Sequence, residues 1–249
     1  MKVSKRTGAE KAFAAGKFLL SFLYPDRCPL CDSLLMPGEW ICPCCERDVK
    51  PARGAVCLKC GKPLSDESRE YCVDCANKKH YFTQGKAVFL YEGKIRSSLY
   101  RFKYKNRREY GGYYAGEAAA QFDGWIRKIG VQVIVPVPMY RSKQRLRGYN
   151  QAEVFAKALG RSTGIPVDKK LLFRVRNTTP QKDLNEHERK YNLKNAFQLR
   201  ADIVKYNKIL LADDIYTTGS TMDEASKTLL EAGATKIYFI CIGIGAGYR

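Results

Sequence analysis

Hydrophobic residues fall into two patterns along this chain. Gly85 to Tyr91, Val131 to Val137, Ile209 to Ala212 and Lys236 to Ile242 are apolar at most positions, and Leu171 to Val175 is a shorter run of the same kind. Short apolar runs bounded by polar or turn residues predict strands covered on both faces, as in a parallel sheet. Between them, apolar residues recur at helical spacing. Ile95, Leu99 and Phe102 mark one face of a helix over Lys94 to Lys105, and Ala152, Phe155, Ala156 and Leu159 mark another. A third helix follows Ile209–Ala212. Thr221-Met222-Asp223-Glu224 has the form of a capping box, with acids in the first turn, and Gly233 is the expected stop. Strands alternating with helices predict an α/β domain with right-handed crossovers over residues 81–249.

The first eighty residues read differently. Ala12 to Tyr24 is apolar and flanked by Lys11, Lys17 and Arg27. It is too short and interrupted for a membrane span and lacks the cleavage pattern of a secretory signal, so residues 1–24 are expected to form an amphipathic helix that packs on the protein, a partner or a membrane surface. Residues 25–80 hold four Cys-x-x-Cys pairs: Cys28/Cys31, Cys42/Cys45, Cys57/Cys60 and Cys72/Cys75. Ten residues separate the first two pairs and eleven the last two, which makes an internal repeat. Two thiolates three residues apart fill two corners of a tetrahedron, and a second such turn supplies the others. Disulfides and a redox dithiol are the competing readings. A cytosolic setting disfavours the first and the regular repeat the second, so a double zinc-binding module with structural zinc is expected. Sequential pairing would give Cys28/Cys31/Cys42/Cys45 and Cys57/Cys60/Cys72/Cys75; a cross-braced pairing is the alternative. Cys44 reads as a spare thiol and Cys241 as a small core residue.

Charge adds a partner class. The net charge is +19, of which +4 lies in residues 1–80 and +15 in the rest. Such an excess favours nucleic acid, anionic lipid or multiply phosphorylated ligands over a plain solvated surface. Two clusters carry it. Arg101, Lys103, Lys105, Arg107 and Arg108 lie beside Tyr100 and Tyr104, a mixture able to bind single-stranded nucleic acid through phosphates and stacking, or to form a solvated rim over a core helix. Arg141, Lys143 and Arg147 fall in a basic loop between the strand ending Pro136-Val137-Pro138 and the Ala152 helix, where forked donors suit pyrophosphate. Residues 176–194 read as a long charged loop, a lid or a disordered excursion, containing His187, which is given no role.

The densest chemistry is Ile209-Leu210-Leu211-Ala212-Asp213-Asp214-Ile215-Tyr216-Thr217-Thr218-Gly219-Ser220-Thr221. A strand ends in two carboxylates and opens through a hydroxyl-rich turn into a helix. Such a turn aims unpaired backbone N–H groups at one point, where an anion is favoured. Asp213 and Asp214 can accept hydrogen bonds from neighbouring sugar hydroxyls. A nucleotide P-loop is disfavoured, since Gly-x-x-x-x-Gly-Lys-Ser/Thr is absent.

This stretch resembles the phosphoribosyl-pyrophosphate (PRPP) loop of type I phosphoribosyltransferases. The resemblance implies a type I phosphoribosyltransferase-like fold in which Asp213 and Asp214 hold the ribose hydroxyls. Thr217, Thr218, Gly219, Ser220 and Thr221 would wrap the 5-phosphate, and Mg²⁺ would accompany the pyrophosphate. The whole chain, over about residues 18–245, resembles the ComF/GntX family of competence-associated proteins. The features that carry this are the apolar segment before Cys28, the cysteine pairs, Pro136-Val137-Pro138, Arg147-Gly148-Tyr149-Asn150-Gln151-Ala152, Thr179-Pro180-Gln181, Glu188-Arg189 with Asn192, and the Asp-Asp loop, in that order. The family implies a cytosolic protein, at most peripheral at the inner face of the membrane. It would support uptake of single-stranded DNA in natural transformation, with a competence helicase and the membrane-associated uptake machinery as partners. Transfer of a phosphoribosyl group from PRPP to an unknown acceptor is the alternative activity.

Overall fold

A computed structural model describes residues 25–49, 52, 54–176, 196–200 and 205–245. The expected N-terminal helix and most of the charged 176–194 loop lie outside the described residues. The chain forms two compact units, one up to Val49 and the other from residue 50 onward, so the two cysteine knuckles fall in different units. Among the described residues no helix is long and apolar enough to cross a membrane.

The knuckles repeat each other hydrogen bond for hydrogen bond. In the first, Arg27 bridges Leu34, Cys28 N–H donates to Ser33 O (2.8 Å) and Asp32 N–H to Cys28 O (2.8 Å). In the second, Val56 bridges Pro63, Cys57 N–H donates to Lys62 O (2.7 Å) and Gly61 N–H to Cys57 O (2.9 Å). The left-handed corner is Asp32 (φ 67°) in one and Gly61 (φ 78°) in the other. In each unit the second pair opens a short helix, α1 (Pro43–Glu46) and α2 (Val73–Asn77), with Cys42 and Cys72 at the N-caps.

The large unit is built on a parallel sheet. Its strands are β1 (Gln84–Leu90), β2 (Val133–Pro136), β5 (Lys208–Tyr216) and β6 (Lys236–Ile244), in the order β1-β6-β5-β2. Every β6 residue except Lys236 is buried, as expected for a strand covered on both faces. Val167 pairs with Ile134 in parallel and extends the β2 edge. The helices are α3 (Gly93–Tyr104), α4 (Tyr110–Ile129), α5 (Arg141–Arg147), α6 (Gln151–Thr163) and α7 (Ser220–Glu231). The Leu171–Val175 run does not join this sheet as expected; only its first residue in β3 is buried, and β3 (Leu172–Arg174) forms a separate antiparallel pair with β4 (Phe197–Leu199).

Two further expectations are corrected. The stretch Arg141 to Arg147 is the helix α5 rather than a loop; it ends at Gly148, which takes the left-handed conformation (φ 83°). The capping box does not form: α7 starts at Ser220 with Gly219 as its N-cap and no side-chain cap. The other acid of that stretch, Asp223, reaches away from the helix and accepts hydrogen bonds from His80 Nδ1 (2.7 Å) and Tyr81 N–H (3.0 Å).

Candidate functional site

The carboxyl ends of neighbouring parallel strands form the crevice where α/β sheets bind ligands. Here β5 and β2 are those neighbours, and β5 ends on the acidic pair. Asp213 and Asp214 are half-buried, and Asp213 Oδ1 accepts the Asp214 backbone N–H (2.8 Å). Burial, and then the adjacent Asp214 carboxylate, push the Asp213 carboxyl up to about 7. Lys103, from the last turn of α3, reaches Asp214 Oδ1 at 3.0 Å. Arg174, on β3, is a cation that sequence reasoning missed. Burial lowers its pKa, an effect the Asp213 charge opposes. Only the folding of the short β3–β4 pair brings it to the acids, and no local pattern announces it.

Beyond Asp214 the turn runs through exposed Thr217 to the buried Gly219 (φ 82°), with Thr218 Oγ1 and Ser220 Oγ 3.0 Å apart. Thr221 follows in the first turn of α7. The turn therefore offers hydroxyls and the N-terminus of a 12-residue helix on the strand end that carries the two acids.

Beside it lies a cavity of about 440 Å³, lined chiefly by Lys103, Tyr104 and Arg108 from the α3 side and by Lys143, Arg145 and Arg147 from α5. The two basic clusters that looked separate in sequence thus line one cavity. Of the pyrophosphate candidates, Lys143 and Arg147 line it, while Arg141 is exposed and does not. Of the nucleic-acid candidates, Lys103, Tyr104 and Arg108 line it. Tyr100 joins through its ring, 5.1 Å from Tyr104. Arg101 and Lys105 lie outside the lining, as does Arg107, which pairs with Glu109 at 3.7 Å.

The cavity wall is held by the Arg147–Ala152 segment. Arg147 lies over the Tyr104 ring (4.8 Å) and donates to Gln151 Oε1 (2.6 Å). Arg108 lies over Tyr149 (4.6 Å) and donates to Gly148 O (3.2 Å), while the Tyr149 hydroxyl donates to Phe102 O. Buried Asn150 caps α6 by accepting Ala152 N–H (3.1 Å) and ties the helix to the sheet by donating to Val137 O (3.0 Å). The helix α5 turns Lys143 and Arg147, one turn apart, to the same side. Burial lowers the Lys143 pKa most, and the neighbouring Arg174 and Arg147 charges, which an anion would offset, lower it further.

The eight paired cysteines converge in two sets, Cys28/Cys31/Cys42/Cys45 and Cys57/Cys60/Cys72/Cys75, each with its four sulfurs within 4.8 Å of one another. The pairing is sequential. Cys31 and Cys42 Sγ stand 3.7 Å apart, as do Cys60 and Cys72 Sγ. Zn–S bonds of about 2.3 Å imply a tetrahedral edge of about 3.8 Å, so the donor sets fit zinc. In the second set the Cys57–Cys60 hydrogen bond holds Cys57 well below and Cys60 well above the usual thiol range, a conflict that a shared dication removes. Cys44 is exposed and belongs to neither set, and Cys241 is fully buried in β6.

Several known proteins are similar to this chain. The double zinc ribbon domain family matches residues 19–76. DNA utilization protein YhgH of Salmonella typhimurium is 31% identical over 222 residues, 88% of this chain and 96% of that protein. Competence protein F of Haemophilus influenzae is 30% identical over 214 residues, 78% of this chain and 92% of that protein. A purine phosphoribosyltransferase from Pyrococcus horikoshii aligns with a TM-score of 0.35 at 16% identity, over 53% of this chain and 73% of its own.

Proposed function

The chain belongs to the family of competence protein F and DNA utilization protein YhgH, and from that premise we propose that it handles DNA during uptake by binding single-stranded DNA and PRPP·Mg²⁺ at one cationic cavity. The observation that carries this reading is the shared lining. Lys103, Tyr104 and Arg108 suit a stacked, phosphorylated strand, and Lys143 and Arg147 suit a pyrophosphate, yet all five border the same space. At about 440 Å³ that space is at the low end for small-ligand sites, roughly 300–1,000 Å³, and has room for one phosphorylated ligand at a time.

In this reading Asp213 and Asp214 hold the ribose hydroxyls of PRPP, and the Thr217–Thr221 turn takes its 5-phosphate. Mg²⁺ would offset charge on the pyrophosphate. Lys103 must leave Asp214 when PRPP arrives, which delivers a cation to the cavity side. With this reading go a cytoplasmic location, a competence helicase as partner, and work beside the membrane-associated uptake machinery. Phosphoribosyl transfer to an acceptor is the second reading, favoured by the intact acidic pair and hydroxyl turn.

Arg147→Ala tests the proposal. Charge-assisted hydrogen bonds contribute about 1.5–3 kcal/mol, so affinity for both ligands is expected to fall by one to two orders of magnitude. Calorimetry with PRPP·Mg²⁺ and anisotropy with a labelled oligothymidine measure it. Loss of one ligand with the other unaffected would overturn the shared cavity.

A further inference from the structure

We propose that the metal ion held by Cys57, Cys60, Cys72 and Cys75 sets the position of the Thr217–Met222 phosphate turn, and that the ion at Cys28, Cys31, Cys42 and Cys45 does not. The inference rests on the PRPP reading for its functional consequence, and on packing alone for its structural one.

The second ribbon is part of the core that supports the turn. Cys57 and Cys60 are fully buried and share one apolar cluster with Phe82, Tyr216, Met222 and Phe239. Its knuckle is hydrogen-bonded to the start of β1: Gly85 N–H donates to Lys59 O (2.8 Å), and Gln84 Nε2 to Leu58 O (2.9 Å). From this base the turn is held at both ends.

At its entry stands Tyr216, the last residue of β5. Its ring lies flat on Phe239 (4.8 Å, 7°) and meets the edge of Phe82 (6.2 Å). Lys62, two residues after Cys60, sits 5.9 Å over the same ring and pairs with Asp74, the neighbour of Cys75 (2.5 Å). The turn passes so close above Tyr216 that a Cβ on Gly219 would stand 2.5 Å from its hydroxyl oxygen. Tyr216 therefore fixes the height of Gly219, and the ribbon fixes Tyr216.

At its exit stands Asp223, in the first turn of α7. Its two oxygens accept from His80 Nδ1 (2.7 Å) and Tyr81 N–H (3.0 Å), in the segment that leads from Cys75 to β1. His80 also stacks on Phe82 (4.7 Å). These residues are positioning residues, since each acts on the ligand through the turn. Without its ion the second knuckle cannot keep four thiols in this arrangement, because metal binding and folding of such modules are coupled. Both ends of the turn then loosen together. The first ribbon belongs to the other compact unit and supplies none of these contacts.

Matched variants of the full chain test this. Cys75→Ser and Cys42→Ser each remove one thiolate from one ribbon, and zinc per chain is counted for each. Amide exchange of the segment 215–224 in the free protein is the readout that needs no PRPP. Cys75→Ser is expected to raise exchange there about tenfold and to weaken PRPP binding, while Cys42→Ser leaves both at wild-type values. Asp223→Asn keeps both ions and removes the charge that holds His80 and Tyr81. It is expected to raise exchange in the same segment, so the test survives if Cys75→Ser unfolds. Unchanged exchange over 215–224 in Asp223→Asn, or equal loosening by Cys42→Ser, would overturn the proposal. Wild-type protein with both ions and a protected turn that fails to bind PRPP would instead refute the PRPP reading.

Discussion

Asp213 carries a burial cost that the Asp214 N–H, Lys103 and Arg174 only partly offset. Its folded-state pKa, about 7, lies above the ordinary value of 3.8. A raised pKa means that the folded chain keeps a proton that the unfolded chain has lost, so this group's contribution to stability falls as pH rises from 3.8 to about 7 and is fully lost above that. Asp213→Asn is therefore expected to melt at a higher temperature than wild type at pH 8, with the gain vanishing towards pH 4. The same substitution is expected to weaken PRPP·Mg²⁺ binding. In wild type, if the ionised pair is the binding form, affinity falls about tenfold between pH 8 and pH 6. Melting at several pH values and calorimetry check both signs; an Asn variant less stable at pH 8 would show the carboxylate to be satisfied in the free protein. At this scale the acidic pair and the eight thiol ligands were legible in sequence, because strand-end acids and Cys-x-x-Cys spacing are local patterns. Arg174 was not, since its role comes from the β3–β4 pairing. Asp223 was read only as a first-turn acid because its partners, His80 and Tyr81, lie more than 140 residues away.

Among the elements, the strands other than β4 and the helices α3 and α6 followed from hydrophobic patterning to within a few residues, and α7 from its flanking turn residues. The helix α4 did not. Tyr110 to Ile129 is rich in glycine and tyrosine, which blurs a 3.6-residue pattern and lowers helix propensity. Packing explains it: a Cβ on Gly111 would stand 2.6 Å from Val154 Cγ1, so the bare backbone lets α4 lie close against α6. The α5 helix was missed because its residues are basic rather than amphipathic. It matters for binding, since it sets which cations face the cavity. Removing Arg108 and Arg145 together is expected to flatten the slope of log K for single-stranded DNA against log salt by about 1.4, at roughly 0.7 per lost phosphate contact. Replacing Tyr100 and Tyr104 with Ala is expected to weaken binding with the slope nearly intact, because stacking releases few counterions. Binding titrations at several salt concentrations separate the two; a slope that falls equally in both variants would contradict the division of labour between the cations and the aromatic rings.

At the scale of the whole molecule, sequence gave the kind of fold and the order of its parts but not how they share work. The second zinc ribbon is continuous with the core beneath the phosphate turn, and the first lies in another unit. The two basic clusters, distant in sequence, close on one cavity because the end of α3, whose Lys103 reaches Asp214, faces α5. The excess charge of the chain therefore has a focus as well as a surface, and a polyanion drawn to it meets the site proposed for PRPP. The most direct measurement is displacement of a labelled oligothymidine by PRPP·Mg²⁺, followed by anisotropy at constant ionic strength and free Mg²⁺. One shared cavity predicts that saturating PRPP releases the DNA, and that Asp213→Asn shifts the release to higher PRPP without weakening the DNA complex itself. DNA that stays fully bound while calorimetry shows the protein saturated with PRPP would contradict it.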